Sequence, residues 1–326
     1  IFCIILTMNI FIKKLLYLII MLFIISLISF IAINLAPNSF FASGELNPNI
    51  TPEAIEELKA IYGLDKPLYI QFFSWIYSIL QLDFGISFTS GEKVKEEILS
   101  RIPITLTINI VSMILIFIIS LYFGIKSAMK KNSIFDRFTN QLSLLSFSMP
   151  SFYLALVLVL VFSIKFELFP IAGLHSVPND GSLNYYLDFA WHLTLPIFII
   201  VFGGIGSLIL YIRALTIEIL KSDYIFFARA RGLDNKKILR YYILPNLYPP
   251  VITLLGLSLP GIIGGSVILE TIFSIDGMGL LFYQSALSHD YPVIMGILII
   301  GAFLTLIGNM FADLILLKLN PNYNEK

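Results

Sequence analysis

An all-α polytopic membrane protein, with about six transmembrane helices, is the fold class this sequence predicts, and three observations predict it. Of 326 residues, 58% are hydrophobic and only 13% charged, whereas soluble domains run to roughly half apolar and a quarter charged. The apolar residues are gathered into runs at 15–33, 108–122, 154–164, 195–212 and 293–307, several of them close to the ~20 residues that cross a bilayer as a helix. Lysine and arginine fall unevenly on the stretches between the runs. Six spans follow, at 10–35, 104–127, 140–166, 193–219, 247–271 and 292–317.

The chain opens Ile1, Phe2, Cys3, and Met8 stands before Asn9, Ile10, Phe11, Ile12, Lys13 and Lys14. Residues 1–7 are therefore expected to be an upstream extension, with the first transmembrane helix over 8–35. Two lysines before an apolar run also open a secretory signal. This run is longer than a signal core and no clear A-x-A site follows, so an uncleaved span is expected. Residues 36–103 form an external loop with short helices. In it, Thr51 is a cap, Pro52 suits a first helical position, Glu53, Glu56 and Glu57 suit a helix N-terminus, and Gly63 is a stop. A second helix is expected from Pro67 to about Leu82, with Tyr69, Phe72, Phe73, Ile76 and Leu80 as its apolar stripe and Trp75 at the membrane interface. Residues 104–326 are the five-helix transmembrane core. Within it, Met149 and Pro150 mark a break or bend in the third span, of the kind tolerated where a helix lines a cavity.

Orientation follows from charge. An even number of spans puts both termini on one side. That side carries fifteen lysines and arginines, against six on the other. Positive charge marks the cytoplasm, so both termini and the 220–246 loop are expected there. The formal net charge is zero, which gives no long-range attraction to nucleic acid. Cys3 is the one cysteine, so no internal disulfide or thiolate metal site can form.

The 220–246 loop has helix punctuation throughout. Ser222 or Asp223 can cap a first helix, Gly232 can close it in a left-handed conformation, Asp234 can cap a second, and Pro245 can end that one. Tyr224, Phe227, Ala228 and Arg231 recur at helical spacing and are expected to share a face. An ordinary solvated inner loop is one reading of such a stretch. A compact, basic, aromatic-bearing knob that meets a protein partner is the other.

Chemistry-bearing residues are few. His175, His192 and His289 fall on the outside, but no pair of them has ligand spacing, and no metal site is expected. Glu270 sits at the outer end of the fifth span, where a gating or structural role competes with plain interfacial solvation. Gly264 and Gly265, with Gly261, and likewise Gly203, Gly204 and Gly206, allow close helix packing or line a pathway. Arg213, Glu218 and Asp313 suit contacts between helices. No G-x-x-x-x-G-K-[ST] loop, G-x-S-x-G elbow or H-E-x-x-H helix occurs. No catalytic residue and no cofactor are assigned. An ion-coupled secondary transporter would need ionisable groups near mid-membrane, and the middles of these spans hold almost none.

One run carries a resemblance: Asp223, Tyr224, Ile225, Phe226, Phe227, Ala228, Arg229, Ala230, Arg231, Gly232, Leu233, then Leu244, Pro245 and Asn246. It resembles the EAA loop, the ATPase-coupling loop, of ABC importer permeases. Further segments are similar to the dipeptide, oligopeptide and nickel branch. They are Leu64 to Leu68, Asp83 to Ser87, Arg101 to Leu106, Gly264 to Ser274, Gly277 to Gly279 and Asp290 to Val293. Asp223 stands where that family often has glutamate. The resemblance implies a multi-pass permease subunit of the bacterial inner membrane that passes di- or oligopeptides, or alternatively nickel or a metal chelate. It implies as partners a second homologous permease, two cytoplasmic ATPases that carry all ATP hydrolysis, and an external substrate-binding protein. It also implies that Asp223, Tyr224, Phe227, Ala228, Arg229, Ala230, Gly232 and Leu233 form the contact with an ATPase.

Overall fold

The computed structural model describes residues 2–35, 66–264 and 267–319. The described residues are helical almost throughout. α1 spans Phe2–Leu35, α2 Leu68–Leu80, α3 Val94–Met129 and α4 Ile134–Ser148. α5, Ser151–Leu158, continues as π-helical turns over Val159–Lys165. α6 spans Leu183–Leu220, α7 Asp223–Ala230 and α8 Asn235–Ile238. A second π segment, Leu239–Ile243, leads into α9, Leu244–Gly264. α10 spans Val267–Ile272, α11 Met278–Leu287 and α12 Tyr291–Leu319.

Among the described residues, four helices are long and apolar enough to cross a membrane: α1, α3, α6 and α12. The α4–α5 pair would make a fifth, but it is bent by 99° at its break. Met149, before the proline, is extended (φ −90°, ψ 120°), as the Pro150 ring requires of its predecessor. The span expected over 140–166 is therefore two helices, parted at the expected break. The expected fifth span is occupied by α9 and α10, on either side of residues 265 and 266. α3 and α6 also begin about ten residues before the spans drawn from sequence. The first turn of α3 sets Lys95, Glu96 and Glu97 between buried Val94 and Ile98, so an apolar window excludes it although it is helical. The start of α6 is fixed by Ser182, whose hydroxyl accepts from Tyr185 N–H at 3.4 Å. The helix expected near Thr51–Gly63 lies outside the described residues.

The chain divides into two compact units, Ile1–Thr105 with Asp276–Ile307, and Leu106–Ile275 with Gly308–Lys326. In the first, α2 lies against α1 and α12 through Phe72, Phe30 and Met295, and the Phe30 and Phe72 rings meet edge to face at 5.4 Å. Phe72, Trp75 and Ile76 face inward. Tyr69, Phe73 and Leu80, expected on the same stripe, are exposed. The aromatic outer face that results suits a membrane interface.

In the second unit, α4 packs closely on α6. A Cβ on Gly206 would stand 2.5 Å from the Ser143 carbonyl oxygen and 2.9 Å from Phe147 N. The Ser146 hydroxyl donates to the Phe202 carbonyl at the same crossing. Further along α6, Arg213 grips Asp136 with two hydrogen bonds, Nε to Oδ1 at 2.7 Å and Nη2 to Oδ2 at 2.9 Å. The same carboxylate accepts from Ser127 of α3 and from Asn132 N–H. Three helices thus share one buried, satisfied charge pair. Removing either partner alone would strand the other charge at a typical cost of about 3–5 kcal/mol. The inter-helix role expected for Arg213 is present, while its partner Asp136 carried no signal in the sequence.

Candidate functional site

α7 ends in a Schellman motif. Leu233 N–H donates to the Ala228 carbonyl at 3.2 Å and Gly232 N–H to Arg229 at 2.9 Å, closing the last turn around a left-handed residue. That residue is Gly232, at φ +78°. Asp234 then caps α8, its Oδ1 accepting from Lys237 N–H at 3.0 Å. Ser222 holds the cap position of α7, but its hydroxyl turns back to donate to the Ile219 carbonyl at 2.5 Å. Asp223 stands in the first turn of α7, where its charge complements the helix dipole.

The structure divides the residues expected on one face of α7. Tyr224 and Phe227 are exposed, Phe227 by 63%, while Ala228 is 2% exposed and lies with Ile225 against the body of the unit. The outward surface instead includes Phe226, at 69% exposure, with Arg229, Ala230 and Arg231. Phe226 falls outside the i, i+3, i+4, i+7 spacing that begins at Tyr224, and the small apolar side chain of Ala228 fits a buried face as well as an exposed one. Ile225, Ile238 and Ile243 join Ile212, Phe117, Ile125, Leu247 and Val251 in one apolar cluster, and Leu233 packs against it. The knob is therefore seated on α3, α6 and α9.

Pro245 does not end the second helix as expected. The chain widens into π turns, with Leu244 N–H donating to the Leu239 carbonyl five residues back, and then runs directly into α9. A proline supplies no N–H and crowds the carbonyl four residues before it. The wider ladder accommodates both effects, and the Asn246 amide donates to the Tyr242 carbonyl at 2.6 Å. Tyr242, which the sequence left without a role, lies parallel to Tyr224 at 6.2 Å.

The remaining expected positions are placed as follows. Glu270 is buried, at 4% exposure, so solvation at an interface does not describe it. Gly264 is the last residue of α9, and Gly265 lies outside the described residues. His175 and His192 both approach Asp188, at 3.8 and 3.5 Å. Asp188 precedes His192 by one helical turn, a pairing overlooked when only histidine spacings were compared. No group of three potential ligands able to hold a metal ion occurs among the described residues.

In the first unit, segments distant in sequence meet. The buried Asp290 carboxylate accepts from the Ser87 hydroxyl at 2.6 Å and from Thr89 N–H at 3.0 Å. Arg101 donates to Asp276 at 2.8 Å, and Met278 N–H donates to the Thr105 hydroxyl at 2.9 Å. These are the segments around Asp83 to Ser87, Arg101 to Leu106, Gly277 to Gly279 and Asp290 to Val293 that were singled out together in the sequence.

Residues 120–325 match the family model of the binding-protein-dependent transport system inner membrane component. The chain belongs to that family. Residues 7–109 match the corresponding N-terminal membrane component model. The chain is 35% identical over 298 residues to the oligopeptide transport system permease protein AppB of Bacillus subtilis, covering 91% of this chain and 93% of that one. It is 32% identical to the dipeptide transport system permease protein DppB of Lactococcus lactis, covering 95% and 97%. It is also 32% identical to the metal-staphylopine import system permease protein CntB of Staphylococcus aureus, covering 85% of each. A chain of the MetNI methionine ABC transporter in an inward-facing conformation matches in fold, with a TM-score of 0.54 and 17% identity over 68% of this chain and 96% of that chain. The family and the apolar helices make this a multi-pass membrane protein and a transport subunit.

Proposed function

We propose that the chain is one of two permease subunits in an ATP-driven importer and forms half of the path taken by di- or oligopeptides. An external binding protein delivers the peptide, and separate ATPases in the cytoplasm act on the 220–246 knob. The observation that carries this reading is the two-sided construction of α7. On its inner side Ile225 is fixed in the apolar cluster and Ala228 is buried, while Tyr224, Phe226 and Phe227 project outward. Exposed aromatic side chains on a fixed helix are what a partner's groove recognises, and force applied to them would pass into α3, α6 and α9. The names of the relatives support a peptide cargo. The metal-staphylopine relative supports a second reading, import of a metal chelate, with the external binding protein selecting the cargo in either case.

The test replaces Phe226 and Phe227 with aspartate, singly and together. Both side chains are exposed, so membrane abundance should stay near wild type. Recovery of the ATPase subunits with the purified permease pair should fall about tenfold or more for the double variant, a loss of some 1.4 kcal/mol. Normal recovery and normal transport by the double variant would leave the knob a solvated connector.

A further inference from the structure

Within the second unit, α3, α6 and α9 line an open cavity of about 560 Å³. Its lining carries five neutral polar side chains, Asn109, Ser112, Ser207, Tyr211 and Ser258, and no charged residue. Ser112 has an unusual status. It is 1% exposed, and its hydroxyl has no hydrogen-bond partner. By contrast, the Thr216 hydroxyl bonds back to the Ile212 carbonyl and that of Ser258 to the Leu254 carbonyl. A buried unpaired hydroxyl costs roughly 1–3 kcal/mol.

We propose that this cavity is a substrate-contacting segment of the translocation path, and that it holds the peptide by its backbone amides. The proposal rests on the peptide-permease reading above. Serine and tyrosine hydroxyls and an asparagine amide can donate to a peptide carbonyl and accept from a peptide N–H. The volume lies in the roughly 300–1,000 Å³ range of small-molecule sites. Lipid tails would leave the polar groups unmatched. A neutral lining also avoids trapping peptides of one charge, since a path must bind well enough to admit its cargo and weakly enough to release it. Phe117 and Leu254 belong both to this lining and to the apolar packing around Ile225 of α7. These two side chains link the cavity lining to the apolar cluster on which the knob sits, so closure of the ATPases would reshape the site.

The test uses the full reconstituted importer in vesicles and two radiolabelled tripeptides, one with a central lysine and one with a central glutamate. Ser207 is exposed and lines the cavity. Ser207→Asp should shift the lysine-to-glutamate uptake ratio about tenfold relative to wild type, from the charge placed beside the cargo. Ser207→Asn should leave that ratio unchanged. Any preference of the external binding protein cancels in the comparison. A ratio unmoved by Ser207→Asp overturns the proposal, as does loss of the second permease subunit from the Ser207→Asp complex, which would make the cavity a subunit seat. If the unmodified importer takes up neither tripeptide, the peptide reading itself fails and this proposal with it.

Discussion

Glycines that look alike in the sequence separate at the scale of single residues. Gly203, Gly204 and Gly206 form one small-residue group, yet their surroundings differ. A Cβ on Gly203 would meet nothing within 4 Å, one on Gly204 would meet the movable end of Ile116, and one on Gly206 would strike the backbone of α4. A side-chain tip can turn aside, whereas a helix backbone can only be pushed away along its length. Gly206→Ala should therefore destabilise the protein by roughly 1–3 kcal/mol, the usual cost of overpacking. Gly203→Ala should be neutral, and it is the matched control, because both changes add one methyl group to the same helix. Thermal unfolding in detergent measures the difference. Equal midpoints for the two variants would mean that the α4–α6 crossing is loose enough to absorb a methyl group.

Elements were legible in the sequence where local chemistry decides them. Gly232 and Asp234 punctuate the knob as expected, because a left-handed turn and a side-chain cap are set by the residues themselves. Met149 and Pro150 likewise announced a break, though not its angle. What the sequence could not show depends on neighbours. The burial of Ala228, the pairing of Arg213 with Asp136, and the unpartnered hydroxyl of Ser112 follow from helices that are distant along the chain. Gly232 allows the element-scale role of the knob to be tested without disturbing its packing. A Cβ there would touch nothing within 4 Å, so Gly232→Val acts through backbone conformation alone. A left-handed residue with a Cβ costs roughly 1–2 kcal/mol, and a β-branched one is an outlier. The α7–α8 turn should open while the transmembrane helices, held by their own packing, persist. Transport should fall severalfold at unchanged membrane abundance. An unchanged transport rate would show that the angle between α7 and α8 is irrelevant to coupling.

For the whole molecule, the unevenness of charge makes a claim that can be checked directly. Two rules bear on it: lysine and arginine accumulate on cytoplasmic segments, and every exposed loop must lie on one side or the other. The fifteen-to-six division of lysines and arginines rests on six crossings, so a miscounted span would reverse every segment beyond it. The bent α4–α5 pair is where such an error would enter, because a bend of 99° suits a re-entrant segment as well as a broken crossing. Lys93, before α3, and Lys236, in α8, lie on either side of that pair and are both exposed. Burial will therefore not mask a thiol at either position. In a chain carrying Cys3→Ser, Lys93→Cys should react with a membrane-impermeant maleimide in intact cells. Lys236→Cys should react only after the membrane is opened. Labelling at both positions in intact cells would make the number of crossings between them even, with α4–α5 dipping into the membrane and returning. The knob would then face outward, out of reach of any cytoplasmic ATPase.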